Sequence, residues 1–190
     1  MRIISGKFRG RKLIKFNKEG IKPTTDKMRE SIFNIVISYL KINEKKNNLP
    51  LENFNVLDIF AGTGALGLEA ISRGAENVTF IEKSRDNLHV LYKNVTHLKV
   101  NKKVKIIKKS ISKVKKIEGQ FDLIFMDPPY QMDLIIKKTL KKVLDFKIIK
   151  KKTVIVLEHA KKKKIVIPKE YEIIKEKNYG NSGLILIKLK

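Results

Sequence analysis

Apolar residues in the first quarter of the chain recur with helical spacing. Between residues 23 and 40 they are separated by three and four positions, which predicts a helix with one buried side. These residues are Met28, Ile32, Ile35, Val36, Tyr39 and Leu40. Thr25 or Asp26 is suited to cap the first turn of this helix.

From residue 54 onward, short continuous apolar runs predict buried strands. The runs are NVLDIF, NVTFIE, KVKII, FDLIFM and TVIVLE, and the segments near 64–73, 84–98, 111–117 and 132–144 are predicted to be helices. Such alternation is typical of an α/β fold with a Rossmann-like, doubly wound and mostly parallel sheet. YEIIKEKN and GLILIKLK, joined by YGNS, predict a hairpin, so we expect an antiparallel strand to close the sheet.

The segment before the first helix has a different pattern. MRIISGKFRGRKLIKF alternates small apolar pairs with basic residues and glycines, which predicts a short β-rich arm with tight turns. A chain of 190 residues is long enough for one sizeable core. We therefore expect a single domain over 1–190, with a basic arm over 1–24 and a Rossmann-like core over 54–190.

Composition excludes several classes of functional site. The chain has no cysteine, and its three histidines are scattered, so the sequence offers no thiolate or histidine metal site. No segment resembles a signal peptide or approaches the roughly 20 apolar residues that span a bilayer. We expect a soluble protein in a reducing, cytoplasmic compartment.

The formal net charge of +24 favours a polyanionic partner, most plausibly nucleic acid. Lysine is abundant throughout, including the run KKKK at 161–164, so part of this charge is also consistent with solvated surface. Arginine is more informative because its guanidinium binds phosphate in a bidentate manner. Four of the six arginines lie within the first 29 residues: Arg2, Arg9, Arg11 and Arg29.

The stretch LDIFAGTGALGLEA contains a G-x-G-x-x-G pattern in Gly62, Gly64 and Gly67, between a predicted strand and a predicted helix. Asp58 precedes these glycines, and Glu82 ends the next strand. A dinucleotide pyrophosphate next to Asp58 would meet a repulsion of order 4 kcal/mol per charge pair at about 4 Å. S-adenosylmethionine carries net positive charge, so the acidic residues favour it over a dinucleotide. Glu82 is suited to accept hydrogen bonds from the ribose hydroxyls.

A second pattern, FDLIFMDPPY, ends a buried strand in Asp127, Pro128, Pro129 and Tyr130. The prolines end the strand and make the loop rigid. An exocyclic base amine has two N–H donors, which Asp127 and a proline carbonyl are suited to accept, while Tyr130 offers a stacking face for a flipped base. The simpler interpretation is a strand that prolines terminate.

Four segments together resemble the RsmD family, which belongs to the S-adenosylmethionine-dependent amino-methyltransferases with a DPPY-type loop. They are RIISGKFRGRKL, PTTDKMRESIFN, DIFAGTGALGLEAISRGA and FDLIFMDPPY. The resemblance implies a class I methyltransferase fold and methylation of the exocyclic N2 of one guanine in 16S ribosomal RNA. It also implies that the partner is this RNA or a small-subunit assembly particle, and we expect the enzyme to be a monomer.

The resemblance also assigns site residues. The implied catalytic residues are Asp127, Pro128, Pro129 and Tyr130. The implied cofactor-binding residues are Asp58, Phe60, Ala61, Gly62, Thr63, Gly64, Ala65, Glu82, Ser110 and Ile111. The implied RNA-binding residues are Arg9, Gly10, Arg11, Lys12, Thr24, Thr25 and Arg29. Ser110 stands where family members often have Asp or Asn to bind the adenine amine, and a hydroxyl accepts that bond more weakly.

Two other functions use the same patterns. A DNA adenine or cytosine amino-methyltransferase shares the catalytic loop, although such enzymes usually carry a sizeable target-recognition region for which this chain has no room. A non-catalytic RNA-binding module for ribosome assembly is the other alternative, and the intact glycines and DPPY loop argue against it.

Overall fold

The computed structural model describes residues 1–15, 25–40, 49–128, 133–161 and 165–190. Its helices are α1 (Asp26–Tyr39), α2 (Ala65–Ser72), α3 (Arg85–His97) and α4 (Asp133–Asp145). Its strands are β1 (Asn55–Ile59), β2 (Asn77–Ile81), β3 (Val104–Ile107), β4 (Phe121–Met126), β5 (Ile149–Ala160), β6 (Tyr171–Tyr179) and β7 (Ser182–Leu189). None of the helices in these ranges is long and apolar enough to cross a bilayer.

The strands form one sheet in the order β3-β2-β1-β4-β5-β7-β6. The first five strands in that order are parallel, and β7 pairs antiparallel with both β5 and β6. The predicted doubly wound sheet with a C-terminal antiparallel hairpin is therefore confirmed. The hairpin turns at Gly180, whose φ of 57° suits a residue without a Cβ.

Helices cover both faces of the sheet, and the side chains of each strand alternate between two cores. We call the side packed against α1, α2 and α3 the α1 face, and the side packed against α4 the α4 face. Along β4, Leu123 and Phe125 belong to the α1 face, while Ile124 and Met126 belong to the α4 face. This alternation determines which side of the sheet each functional residue occupies.

Helix α1 begins as the sequence predicts. Thr25 is its N-cap, and the Thr25 hydroxyl accepts a hydrogen bond from the Met28 N–H at 3.2 Å. The predicted helix over 111–117 is wrong, because only Ile111–Lys113 form a single 3-10 turn and Val114 is extended. Ile111, Val114 and Ile117 are nevertheless buried in the α4-face core, so their spacing of three reflects burial without a helix.

The N-terminal arm is less regular than a pair of strands. It contains one antiparallel bridge between Arg2 and Lys12 and one 3-10 turn over Gly6–Phe8. The fully buried carboxylate of Glu69 on α2 accepts hydrogen bonds from the Ile4 N–H at 2.7 Å and the Ser5 N–H at 3.0 Å. Glu69 also pairs with Arg73 at 2.8 Å, so its charge is compensated and the arm is anchored to the core.

Candidate functional site

Acidic residues converge at the carboxyl edge of the parallel strands. Asp58 lies in β1, Glu82 follows β2, Asp127 follows β4, and Glu158 lies near the end of β5. The side-chain alternation of their strands directs all four toward the α1 face. Three of these carboxylates were expected from the sequence and Glu158 was not, although the run TVIVLE ends on it just as NVTFIE ends on Glu82.

A tight turn connects β1 to α2 and forms one wall of this edge. Phe60, Gly62 and Gly64 have φ values of 65°, 56° and 83°. The N–H groups of Phe60 and Ala61 both donate to the Ile81 carbonyl at 3.1 Å, and the Gly64 N–H donates to the Ala61 carbonyl at 2.8 Å. The left-handed conformation of Phe60 is uncommon for a bulky residue and is held by this bonding.

The three glycines of the pattern have different structural roles. A Cβ on Gly62 would meet no atom within 4 Å, so this backbone faces open space that a ligand can occupy. A Cβ on Gly64 would lie 2.3 Å from Leu91 Cδ1, and one on Gly67 would lie 2.3 Å from the Phe80 ring. Gly64 and Gly67 therefore permit close packing of α2, and Gly62 is the glycine that borders the open part of the site.

Glu82 is fixed by the backbone around it. One carboxylate oxygen accepts hydrogen bonds from the N–H groups of Lys83 at 2.7 Å and Ser84 at 2.8 Å. The other accepts one from the Gly62 N–H at 2.8 Å, and the residue is 8% exposed. A carboxylate has about four acceptor positions, so the oxygen bonded to Gly62 keeps capacity for a ligand hydroxyl.

Asp58 is more deeply buried, at 2% exposure, and its Oδ2 accepts a hydrogen bond from the Gly67 N–H at 2.9 Å. This bond ties β1 to the first turns of α2. Burial raises the pKa of Asp58 to about 7, the Gly67 hydrogen bond acts against this rise, and the nearby Glu82 adds to it. An added positive charge at this edge would favour the ionised form of Asp58.

The raised pKa of Asp58 predicts a pH dependence of stability. Between 3.8, its ordinary value, and about 7, the folded protein holds a proton that the unfolded chain releases. The free energy of unfolding should therefore decrease as pH rises through this window, and Asp58→Asn should remove that part of the decrease. Relative to wild type, the free energy of unfolding of the variant should therefore rise by on the order of 3 kcal/mol between pH 4.5 and pH 8, measured by urea unfolding.

The matched control for that prediction is Asp86→Asn, which changes an exposed aspartate in the first turn of α3. The free energy of unfolding of this variant should differ from that of wild type by a nearly constant amount over the same pH range. A constant difference for Asp58→Asn would mean that the Asp58 carboxylate is ionised in the folded protein at acidic pH.

Beyond β3, Ser110 is partly exposed and Ile111 is buried. The Ser110 hydroxyl lies 2.9 Å from the Ser112 hydroxyl, and either group can donate. Ile111 packs into the α4-face core, with 5% of its surface exposed. Contact of either residue with an adenine remains a prediction.

The DPPY segment follows β4. Asp127 and Pro128 are partly exposed, whereas Pro129 and Tyr130 lie outside the described residues. Parallel pairing of Ile59 with Met126 brings Asp127 level with Phe60, the first residue of the glycine turn. The two patterns singled out from the sequence therefore meet at adjacent strand ends.

Most of the expected RNA-binding residues lie on the arm. Arg9, Gly10, Arg11 and Lys12 are all exposed, and the Arg11 guanidinium lies 5.2 Å from the centroid of the Phe8 ring. The bonds to Glu69 hold this basic segment on the surface of the molecule. RNA contact by these residues remains a prediction that their exposure permits.

The expected RNA-binding residues around α1 are placed differently. Thr24 lies outside the described residues, and Thr25 caps α1. Arg29 is fully buried, and its Nη2 donates to the Arg2 carbonyl at 2.7 Å and to Asp26 at 2.6 Å. The Nε and Nη1 groups have no hydrogen-bond partner among the described residues, and burial lowers the pKa of Arg29. In this conformation Arg29 links the arm to α1 and is not available on the surface.

The chain is similar to known proteins over most of its length. The family described as conserved hypothetical protein 95 matches residues 1–188. Ribosomal RNA small subunit methyltransferase D of Buchnera aphidicola (subsp. Acyrthosiphon pisum) is 36% identical over 176 residues, covering 92% of this chain and 86% of that protein. The Haemophilus influenzae protein of the same name is 34% identical over 184 residues, covering 95% and 89% of the two chains.

The solved structure of the Escherichia coli protein yhhF also resembles this one. It superposes with a TM-score of 0.82 at 30% sequence identity, covering all of this chain and 98% of the other. The similarity includes the arm, the glycine turn and the C-terminal hairpin, since it extends over the whole chain. The sheet and its helices are those of the class I methyltransferases.

Proposed function

Because the chain belongs to the RsmD family, we propose that it is an S-adenosylmethionine-dependent methyltransferase that modifies the exocyclic N2 of one guanine in 16S ribosomal RNA. The observation that carries the proposal is the meeting of two sites at one sheet edge. The glycine turn after β1 and Asp127 after β4 lie on adjacent strands, paired through Ile59 and Met126. A methyl donor in one site and an amine in the other would be neighbours.

The residues at the glycine turn fit S-adenosylmethionine. Gly62 borders open space, and the Glu82 oxygen bonded to the Gly62 N–H keeps capacity to accept from a ribose hydroxyl. Asp58 and Glu82 would place negative charge beside a ligand with net positive charge. The remaining proposed contacts are Phe60, Ala61, Thr63, Gly64, Ala65, Ser110 and Ile111. When bound, this cofactor supplies an electrophilic methyl group.

The proposed role of Asp127 and the Pro128 carbonyl is to orient the amine. The N2 lone pair of guanine is delocalised into the ring, so the free base is a poor nucleophile. Accepting its two hydrogens favours a pyramidal nitrogen with its lone pair directed at the methyl group. Once methylated, N2 would be acidic, and Asp127 or water would accept its proton. Pro129 and Tyr130 complete the proposed base pocket.

One assay tests the function. The protein is incubated with methyl-labelled S-adenosylmethionine and small-subunit particles, naked 16S ribosomal RNA or duplex DNA, and the labelled base is then mapped. We expect label on a guanine N2 in the particle or the RNA. Label on adenine or cytosine of DNA would favour the DNA amino-methyltransferase, and RNA binding without any transfer would favour an assembly module.

The basic arm gives a separate prediction about RNA affinity. If Arg9, Arg11 and Lys12 contact phosphates, replacing all three with alanine should weaken RNA binding. The slope of log K against log salt should fall by about 0.7 to 0.9 for each lost contact. Filter binding over a range of KCl concentrations measures the slope, and calorimetry should show unchanged affinity for S-adenosylmethionine.

A matched control removes three exposed lysines elsewhere. Lys169, Lys175 and Lys177 lie on or just before the edge strand β6. Their triple alanine variant has the same change in net charge, so it reports the general effect of charge. Equal slopes for the two triple variants would show that the arm makes no specific phosphate contacts.

A further inference from the structure

Glu158 lies on the strand beside β4, level with Asp127, the first residue of the DPPY segment. Strands β4 and β5 are parallel, and Met126 pairs with Leu157, so Asp127 and Glu158 are the next residues along the two strands. Adjacent parallel strands are about 4.8 Å apart. The carboxylate that follows β4 therefore has a second carboxylate as its neighbour.

Both carboxylates belong to the same side of the sheet. Glu158 pairs with Leu184 of β7, and Leu184 and Val156 are part of the α1-face core. Phe125 is also on the α1 face, and Asp127 follows it by two positions. The amine that Asp127 is proposed to hold would thus lie on the side toward which Glu158 is directed.

Packing of the core alone would favour an apolar side chain at position 158. Val154 and Val156 fill the same row of β5 with apolar side chains, whereas Glu158 is 6% exposed. A buried acid at the end of a strand that borders a proposed catalytic loop is typical of a functional position.

The Watson–Crick edge of guanine gives a reason for a second hydrogen-bond acceptor beside Asp127. It presents the N1–H donor immediately beside the N2 amine, whereas adenine and 2-aminopurine have an unprotonated acceptor nitrogen at N1. A flipped base is commonly read by hydrogen bonds to this edge. A carboxylate facing N1 would accept from guanine and repel a base with a lone pair at that position.

We propose that Glu158 accepts the N1–H of the target guanine and thereby determines the base that the enzyme selects. This inference rests on the proposed function, since it assigns Glu158 to the same base pocket as Asp127. In this arrangement Asp127 orients the amine that reacts, and Glu158 reads the adjacent ring nitrogen. Sites that hydrogen-bond a substrate group strongly reject analogues that lack it.

The test compares two substrate RNAs that differ only at the methylated nucleotide. One carries guanine and the other 2-aminopurine, which keeps the N2 amine and lacks the N1–H. We expect wild type to prefer guanine in kcat/KM on the order of a hundredfold. Glu158→Gln should reduce that preference at least about tenfold, because the amide can also donate to the unprotonated N1. Both rates come from one preparation, so the fraction of folded protein cancels in their ratio.

Two further variants complete the design. Glu176→Gln changes an exposed carboxylate on β6 and should leave the preference unchanged. Glu158→Asp keeps an acceptor and should retain the preference for guanine, even if both rates fall. Calorimetry with S-adenosylmethionine should give similar affinities for all variants, since Glu158 is not assigned to the cofactor.

The outcomes distinguish the inference from the function on which it rests. A wild-type enzyme that methylates guanine while Glu158→Gln keeps the full preference overturns the role of Glu158 alone. A loss of the preference in Glu158→Asp equal to that in Glu158→Gln also overturns it, because an acceptor remains. Absence of transfer to any guanine by wild type contradicts the proposed function, and the inference falls with it.

Discussion

Replacing Asp127 with alanine is expected to reduce methyl transfer at least about a hundredfold while leaving the binding of cofactor and RNA within a few-fold of wild type. The substitution removes the acceptor proposed to orient the N2 amine. It leaves the glycine turn and the exposed basic arm unchanged. The loss should therefore appear in the rate of the chemical step rather than in either dissociation constant.

Single-turnover kinetics with saturating S-adenosylmethionine and excess enzyme isolate that step. Asp145→Ala is a suitable control, because Asp145 is an exposed aspartate at the end of α4. Transfer by Asp127→Ala at nearly the wild-type rate would show that the segment after β4 only terminates a strand. The proposed amino-methyltransferase mechanism would then be wrong, although the fold and the family would stand.

The second large effect is expected at the glycine turn, where Gly62→Val should lower the affinity for S-adenosylmethionine by about two orders of magnitude or more. A side chain at this position would project into the open space beside the Gly62 backbone. The φ of 56° also disfavours valine, at a cost on the order of 1 to 3 kcal/mol. The variant should fold with lower stability and bind little cofactor, as measured by thermal unfolding and calorimetry.

Gly119→Val separates backbone strain from loss of the ligand site. Gly119 has a φ of 85°, a Cβ there would also meet no atom within 4 Å, and the residue precedes β4 at the opposite end of that strand. Its valine variant should lose stability and keep normal cofactor affinity. Normal affinity in a folded Gly62→Val protein would remove the cofactor assignment, and tight NADH binding by wild type would favour a dinucleotide instead.

Gly64 is not a useful position for this test. The sequence suggests that valine at either glycine would block the ligand and spare the fold. In the structure a Cβ on Gly64 would collide with Leu91, so Gly64→Val is expected to disturb the packing of α2 and α3. A loss of binding in that variant would report on folding as much as on the cofactor.

The sequence by itself determined the architecture, because its local signals agree with one another. Continuous apolar runs are required by strands buried on both faces, and Thr25 and Ser84 cap α1 and α3 through their hydroxyl oxygens. The acidic residues Asp58, Glu82 and Asp127 are recognisable as site candidates because each stands within or directly after the last residues of an apolar strand run. Parallel strands then bring such positions to one edge whatever the details of packing.

Only the tertiary structure decided which groups the individual side chains contact. Whether Gly62 or Gly64 borders open space depends on Leu91, a residue 27 positions beyond Gly64 in the chain. Arg29 has the sequence pattern of a surface phosphate ligand, yet it is fully buried and donates to the Arg2 carbonyl and Asp26. Glu158 became a neighbour of Asp127 through strand register, which no local pattern specifies. Contacts between distant segments are set by packing, so a sequence pattern can name the candidate residues but not their partners.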